Sequence, residues 1–315
     1  MATELFALTF IRVQAAACAA VLLVLLLRRP VRQVIGAGLT YRLWLLVPVA
    51  IVASLFPSLS EIARAGAAQD LGFEHASLLL CAWLGGAAIY LGVLVSREAA
   101  FRRLARRGKA GPAVMGVLWP RLVLPSDFAE RFNAAERQMV HEHERTHVAQ
   151  GHPQHNLIIG LCQTLAWFNP LIHVASMCAR LDQELACDAV VIARRPSQRR
   201  IYAEALVKAH ATMAHPPLAC LWSALGSHPL LVRVDMLKRS ELSEERYVRG
   251  AAAVTILAVL VALGTWITAP RGPQSSDFSW QAASPIQKDV SLPALSRVTS
   301  AQVTQQPPAP LSPVR

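Results

Sequence analysis

The sequence predicts a mainly α-helical protein that crosses a membrane several times. Of its 315 residues, 54% are hydrophobic and only 16% are charged, and the mean hydropathy is +0.37. A soluble domain usually has a smaller apolar share and a larger charged share. Several apolar runs also reach the length of about 20 residues that a helix needs to cross a bilayer. The chain is therefore expected to be a polytopic membrane protein.

Four runs are predicted to span the membrane: residues 5–27, 39–57, 77–95 and 250–269. Three of these spans thus lie within residues 1–95. The first run is followed by Arg28 and Arg29, whereas a cleaved signal peptide carries its positive charge before its apolar stretch. The order favours a retained helix with its N-terminus outside.

The basic residues predict the orientation of these spans. The clusters 28–42 and 97–109 fall on one side of the predicted spans, and that side is expected to be cytoplasmic. The loop 61–76 and the tail 270–315 then lie outside, and the tail is expected to be disordered because it is rich in Pro, Ser, Gln and Ala. The net charge of +11 therefore indicates membrane orientation better than nucleic-acid binding.

Residues 112–125 predict a small strand or hairpin that borders a cleft, because they are bounded by prolines and rich in Val and Leu. An edge strand beside a metal site commonly pairs with an extended substrate, although a purely structural hairpin fits equally well. Ser126 or Asp127 is expected to cap the next helix. That helix is predicted over 134–150, and Gly151 is expected to end it.

This helix contains the pattern H-E-x-x-H at 143–147. Residues four apart lie on one face of a helix, so His143 and His147 can bind one metal ion, with zinc as the expected ion. Glu144 lies beside the pair, where it can act as a general base toward water. So short a pattern can arise by chance, and its meaning depends on a third ligand.

Three later histidines are possible third ligands: His152, His155 and His173. A helix that ends at Gly151 is expected to carry the first two away from the motif, which favours surface or interface roles. The alternative is Glu184, on a second helix packed beside the first. Asp188 lies one turn later and could hold a histidine ligand through its free ring nitrogen. The structural alternative is an amphipathic helix with solvated acids.

Residues 155–179 restrict the topology. They contain no Asp, Glu, Lys or Arg, and Asn169-Pro170 interrupts them, so two helices are expected to meet there. If Glu184 shares a metal with His143, both must lie on the same side of the membrane. The segment is therefore expected to be re-entrant, or bent against the inner face, rather than to cross.

Several motifs resemble, in their order, those of the BlaR1/MecR1-type membrane metallopeptidases of family M56. They are Gly116–Pro125, His143–His147, Trp167–Pro170, Glu184–Asp188 and the later stretch His228–Arg239. The resemblance covers residues 1–270. It implies a gluzincin-like zinc site with His143, His147 and Glu184 as ligands, Glu144 as the base and Asp188 as a supporting residue.

The resemblance also implies a zinc protease domain at 96–249 that faces the cytoplasm of a bacterium from its inner membrane. Such a domain answers an outside signal by cleaving a protein substrate, which could be a winged-helix transcriptional repressor. Membrane lipid is the other expected partner, and direct nucleic-acid binding is not expected. The tail 270–315 is too short for a penicillin-binding sensor domain, so direct β-lactam binding is not expected either. His152 stands where the family usually has an acid.

Two other functions fit the same residues. A general quality-control metalloprotease of the membrane would use the same chemistry on many substrates. A non-catalytic signalling protein would keep the fold and bind partners without hydrolysis. The proteins that accumulate in an inactive mutant would test the first alternative, and the metal content would test the second.

Overall fold

The computed structural model describes residues 2–56, 76–211, 229–238 and 243–267, which are mainly helical. The helices are α1 (Ala2–Arg42), α2 (Leu46–Leu55), α3 (Ala76–Arg106), α4 (Phe128–Arg131), α5 (Ala134–Ala149), α6 (His152–Leu165), α7 (Pro170–Arg194), α8 (Arg199–Ala211), α9 (Pro229–Leu237) and α10 (Glu244–Ile267). Short 3-10 turns cover Leu43–Leu45 and Pro196–Gln198. Strands β1 (Ala113–Met115) and β2 (Arg121–Val123) form an antiparallel hairpin with Val114 opposite Leu122. The predicted mainly helical class and the hairpin are confirmed.

Helix α1 doubles back on itself at Gly36. That residue has a φ of 78° and a ψ of 174°, a conformation that glycine adopts without the strain a side chain would cause. Val24 before the reversal packs against Leu43 after it, and Arg12 donates to the carbonyl oxygen of Phe56 at 3.4 Å. The two arms of this hairpin therefore run antiparallel along their length.

Among the described residues, three helical stretches are long and apolar enough to cross a membrane: Thr9–Leu55, Ser77–Arg106 and Glu244–Ile267. The first contains both predicted spans 5–27 and 39–57, which is why four predicted spans appear as three stretches. Helix α10 packs against the hairpin through residues such as Val254 and Leu257. The predicted loop 61–76, apart from Ala76, and the tail 270–315 lie outside the described residues.

Helices α6 and α7 meet at the corner predicted from Asn169-Pro170. The backbone N–H of Leu171 donates to Asn169 Oδ1 at 3.0 Å, so Asn169 caps α7. Pro170 occupies the first helical position, where its missing N–H costs nothing. Asn169 Nδ2 also contacts Cys18 Sγ at 3.1 Å, which places the corner beside the middle of the first arm of α1.

Both ends of segment 155–179 return toward the same end of this hairpin. His155 Nδ1 lies 2.9 Å from the hydroxyl of Tyr41, close to the reversal of α1. Asp182, just after the segment, binds Arg28 of α1. Arg28 lies ten residues closer to the reversal than Cys18, which the corner residue Asn169 contacts. Both ends of the segment therefore lie nearer to the reversal of α1 than its corner does, and its path relative to the membrane stays a prediction.

The N-terminal cap of α5 is Asn133. Its Oδ1 accepts from the N–H of Glu136 at 2.9 Å, and Glu136 Oε2 accepts from the N–H of Asn133 at 2.9 Å, a reciprocal capping box. Asp127 stands at the N-cap position of the intervening short helix α4, without a capping hydrogen bond from its side chain, and neither Ser126 nor Asp127 caps α5. Ser126 Oγ instead donates to the carbonyl oxygen of Gly108.

Helices α5, α7, α8 and α9 pack around one apolar cluster. Its fully buried members include Met139 of α5, Val191 of α7 and Tyr202 of α8, and Leu237 of α9 joins them. Burial of such side chains contributes about 1.5–3 kcal/mol each. The cluster fixes α5 beside α7, so the two helices that carry the candidate ligands are held in contact.

Candidate metal centre

Three of the predicted site residues converge between α5 and α7. His143 Nε2 lies 3.0 Å from His147 Nε2 and 3.3 Å from Glu184 Oε2, and His147 Nε2 lies 3.5 Å from Glu184 Oε1. One donor atom from each of the three residues lies within 4.8 Å of the others. Two neutral imidazoles and one carboxylate are a donor set of catalytic zinc, which keeps a further position open.

The unused ring nitrogens support this assignment. Both histidines direct Nε2 toward Glu184, while their Nδ1 atoms face other partners, Tyr202 for His143 and His152 for His147. Burial lowers the pKa of His147 to about 4, so this ring is neutral at pH 7 and can offer a lone pair. The residues present therefore fit a divalent metal ion.

Glu144 lines the same cavity, whose volume is about 460 Å³. Its side chain is buried, and burial raises its pKa to about 7, with Glu184 adding to the effect and His143 opposing it. A carboxyl group with such a pKa can both accept and return a proton near neutral pH. Glu144 is therefore a buried carboxyl group with a raised pKa in the cavity that the three donors line.

Asp188 reaches the metal group mainly through a tyrosine. The hydroxyl of Tyr202 lies 2.7 Å from His143 Nδ1 and donates to Asp188 Oδ1 at 2.6 Å, whereas Asp188 Oδ1 is 3.4 Å from His143 Nδ1. Burial, followed by the charge of Asp188, raises the pKa of Tyr202 well above its usual value, so the hydroxyl stays protonated. The hydroxyl oxygen then accepts from His143 Nδ1–H, which leaves Nε2 free for a metal.

Arg233 of α9 joins the two acids of α7. Its Nε and Nη2 donate to the two carboxylate oxygens of Asp188 at 2.8 and 2.7 Å, and its Nη1 lies 3.0 Å from Glu184 Oε2. Burial alone would lower the pKa of Arg233, but the two carboxylates outweigh it and raise the pKa. Burial alone would likewise raise the pKa of Glu184, but Arg233 and the two histidines lower it, so Glu184 is ionised.

Neither Tyr202 nor Arg233 was predicted as a site residue. Tyr202 lies in a basic helical stretch with no local pattern that marks it. Arg233 belongs to the stretch 228–239, whose resemblance to the family gave it no role, and His228 of that stretch lies outside the described residues.

We expect Arg233→Lys to weaken metal binding by about 10–100-fold, the usual cost of changing a group that orients metal ligands. Lysine keeps the charge but cannot bind one carboxylate with two parallel hydrogen bonds while reaching a second. Competition with a chromophoric chelator on the purified chain measures the affinity. Arg200→Lys, at an exposed arginine of α8, is the matched control and should leave it unchanged. Equal affinities of the two variants would contradict the role of Arg233.

His152 lies next to the metal group, so the expectation that the helix end carries it away was wrong. Gly151 adopts a left-handed conformation with a φ of 68°, which turns α6 back beside the end of α5. His152 Nδ1 therefore lies 2.8 Å from His147 Nδ1. His155 contacts Tyr41, and His173 Nε2 lies 2.9 Å from the carbonyl oxygen of Trp167.

His147, His152 and Cys187 form a second group of donors within 4.8 Å of one another. Burial, with the neighbouring acids, raises the pKa of Cys187 far above that of a free thiol. The thiolate is the form that binds metals, so Cys187 is a poor ligand. The contact between His147 and His152 has the length of a hydrogen bond, and the first group is the better metal site.

The β-hairpin borders the same cavity, as expected from 112–125. Pro112, Ala113 and Val114 line it opposite the residues of α5. Strand β1 pairs with β2 in a two-stranded sheet, and its other edge has no strand partner within the described ranges. Strand β1 and Glu144 therefore line the same cavity.

The chain was compared with known proteins. The model of the family described as BlaR1 peptidase M56 matches residues 8–77 and 72–237, which is more than half of the chain. A curated relative, regulatory protein BlaR1 of Bacillus licheniformis, is 31% identical over 98 residues, which are 31% of this chain and 16% of the relative. The aligned part thus spans a small fraction of that relative. No solved structure matches the chain significantly.

Proposed function

The chain belongs to the BlaR1 peptidase M56 family, and from this we propose that it is a membrane-embedded zinc metallopeptidase that cleaves a cytoplasmic regulatory protein during transmembrane signalling. The observation that supports this most is the convergence of His143, His147 and Glu184 beside a buried Glu144. A His-His-Glu donor set with an adjacent glutamate is suited to peptide hydrolysis.

The chain's own residues divide the chemistry between them. The two histidines and Glu184 would hold the zinc ion, which would supply Lewis acidity for hydrolysis of a peptide bond. Glu144, which is buried and lines the cavity beside the three donors, would accept a proton from water and pass it to the nitrogen of the leaving amine. The Tyr202–Asp188 pair holds the ring of His143 in the tautomer that leaves Nε2 unprotonated.

An extended segment of a protein is the substrate that this cavity fits. The open edge of β1 offers main-chain hydrogen bonds to a peptide in the strand conformation, and Val114 on that strand lines the cavity. Such binding depends little on side chains, so cleavage of a folded regulator requires an exposed segment. We propose a transcriptional repressor as this regulator.

The active site is proposed to face the cytoplasm, with both termini outside. Asp182, two residues before Glu184 on α7, binds Arg28 and Arg32, which belong to the basic cluster at one end of the first span. Clustered arginines at the end of a span favour the cytoplasmic side. The metal group is therefore tied to the end of the hairpin that the charge rule assigns to the cytoplasm.

Proteolysis by the purified full-length chain in detergent micelles tests the proposed chemistry. We expect cleavage of unfolded protein substrates to stop when a chelator removes the metal and to return when zinc is added back. Cleavage that is unaffected by chelation would contradict the proposal, as would the absence of cleavage by the zinc-loaded protein across a broad peptide library.

A second experiment separates signalling from general quality control. In cells that carry an inactive variant, the signalling role predicts the accumulation of one or two regulators, whereas quality control predicts that many membrane proteins accumulate. The bonds between α1 and the helix that carries Glu184 favour signalling, because they offer a path from the spans to the site.

A further inference from the structure

His152 is held rigidly beside the metal group. Its side chain is only 1% exposed, and its Nδ1 lies 2.8 Å from His147 Nδ1. The ring packs edge-on against Tyr41 at 5.2 Å between centroids, and Cys187 Sγ lies 3.4 Å from its Nδ1. The left-handed turn at Gly151 sets this position, so the backbone as well as the packing aims Nδ1 at His147.

The metal site determines the direction of this hydrogen bond. His147 Nε2 faces Glu184 and His143, so a bound metal requires a lone pair on that nitrogen. The proton of the neutral ring then lies on Nδ1 of His147 and is donated to Nδ1 of His152. His152 in turn carries its own proton on Nε2.

That proton on Nε2 has a cost. His152 Nε2 is buried and has no hydrogen-bond partner within the part of the chain that the structure describes. Burying an unpaired N–H is unfavourable, and an apolar side chain of similar size would avoid it. Packing alone therefore does not explain a histidine at this position, whereas an acceptor directed at His147 does.

We propose that His152 is a positioning residue that accepts the Nδ1–H of His147 and thereby fixes the ring and the tautomer with which His147 binds the metal. This inference rests on the metal site of the proposed function. The two histidine ligands are then held differently: His143 by a hydroxyl backed by the carboxylate of Asp188, and His147 by an uncharged ring. The support of His147 adds no negative charge to the site.

A pair of substitutions separates this role from packing. His152→Asn places an amide oxygen close to the position of Nδ1, so it keeps an acceptor for His147. His152→Leu has a similar size but offers no acceptor. The control is His155→Leu, on the same helix one turn later. His155 lies near His152, with 6.0 Å between the ring centroids, but its hydrogen-bond partner is Tyr41.

The zinc affinity of each purified full-length variant, measured by competition with a chelator, and its resistance to unfolding without metal are the two readouts. We expect His152→Leu to bind zinc about 10–100-fold more weakly while its metal-free form is at least as stable as the wild type. His152→Asn and His155→Leu should bind zinc within roughly a few fold of the wild type, well below the loss of about 10–100-fold expected when a group that orients a metal ligand is removed.

Either of two affinity results would overturn the inference: wild-type zinc affinity in His152→Leu, or an equal loss of affinity in His152→Asn. A loss of both stability and affinity in His152→Leu would also overturn it, since that pattern indicates packing. A wild-type chain that binds no zinc would instead contradict the proposed function itself, so the two failures are distinguishable.

Discussion

Glu144→Gln is expected to lower the rate of peptide hydrolysis by about 10²–10⁴-fold, the usual contribution of a general base, while the protein still folds and binds its metal. Glutamine has the same shape but cannot accept a proton. Glu144 is buried in the cavity and is not one of the three converging donors, so its loss removes proton transfer without removing a ligand. Single-turnover cleavage and metal content, measured on the same preparation, test this.

Glu142→Gln is the matched control for this prediction. Glu142 lies two residues earlier on α5 and pairs with Arg195 at 2.6 Å, outside the group of metal donors. This variant should cleave at the wild-type rate. If Glu144→Gln retains full proteolysis with metal bound, Glu144 is not the base.

Asp182→Asn is expected to destabilise the fold by about 3–5 kcal/mol, the usual effect of removing one partner from a buried ion pair. Arg28 binds both oxygens of Asp182, through Nε at 2.8 Å and Nη2 at 2.9 Å, and the two side chains are only 7% and 1% exposed. Arg32 Nη1 at 3.4 Å and Trp44 Nε1 at 2.9 Å also contact this carboxylate. Without its charge, two neighbouring arginines repel each other.

Unfolding by denaturant in detergent measures this effect. Glu204→Gln, which breaks the exposed pair with Arg200, should change the free energy of unfolding by no more than about 0.5 kcal/mol. Replacing Arg28 and Asp182 together by leucine should recover part of the loss, because the buried charge of Arg28 is then removed together with its partner. An Asp182→Asn protein as stable as the Glu204→Gln protein would show that the pair contributes little.

The same carboxylate links the first span to the metal group. Asp182 and Glu184 lie two residues apart on α7, and the residue between them, Gln183, donates to the hydroxyl of Tyr41. These contacts join the α1 hairpin directly to the helix that carries one of the candidate ligands. This is the physical basis on which we propose signalling rather than unregulated proteolysis.

Local patterns in the sequence were sufficient to predict the histidine pair of the candidate site. His143 and His147 share a helix face by their spacing alone, whereas Glu184 was one of several possible third ligands until the resemblance implied that role. The corner at Asn169-Pro170 was also predictable, because proline ends or begins helices for local steric reasons.

The residues that support the site were not predictable in this way. Tyr202 and Arg233 reach it from helices far along the chain. Their partners His143 and Asp188 are 59 and 45 residues away in the sequence, so no local spacing predicts these contacts. In the sequence, Arg28 indicates only the orientation of the first span in the membrane, but in the structure it is also the buried partner of Asp182. His152 was misplaced because the sequence predicts that Gly151 ends a helix but not the direction in which its positive φ sends the next one.

Metal analysis of the purified chain tests the central claim most directly. We expect one zinc ion per wild-type chain after dialysis, and none in Glu184→Gln, in which one of the three converging donors is replaced by a weakly coordinating amide. A wild-type chain without zinc, or a Glu184→Gln chain that retains a full equivalent, would contradict a metal centre formed by His143, His147 and Glu184.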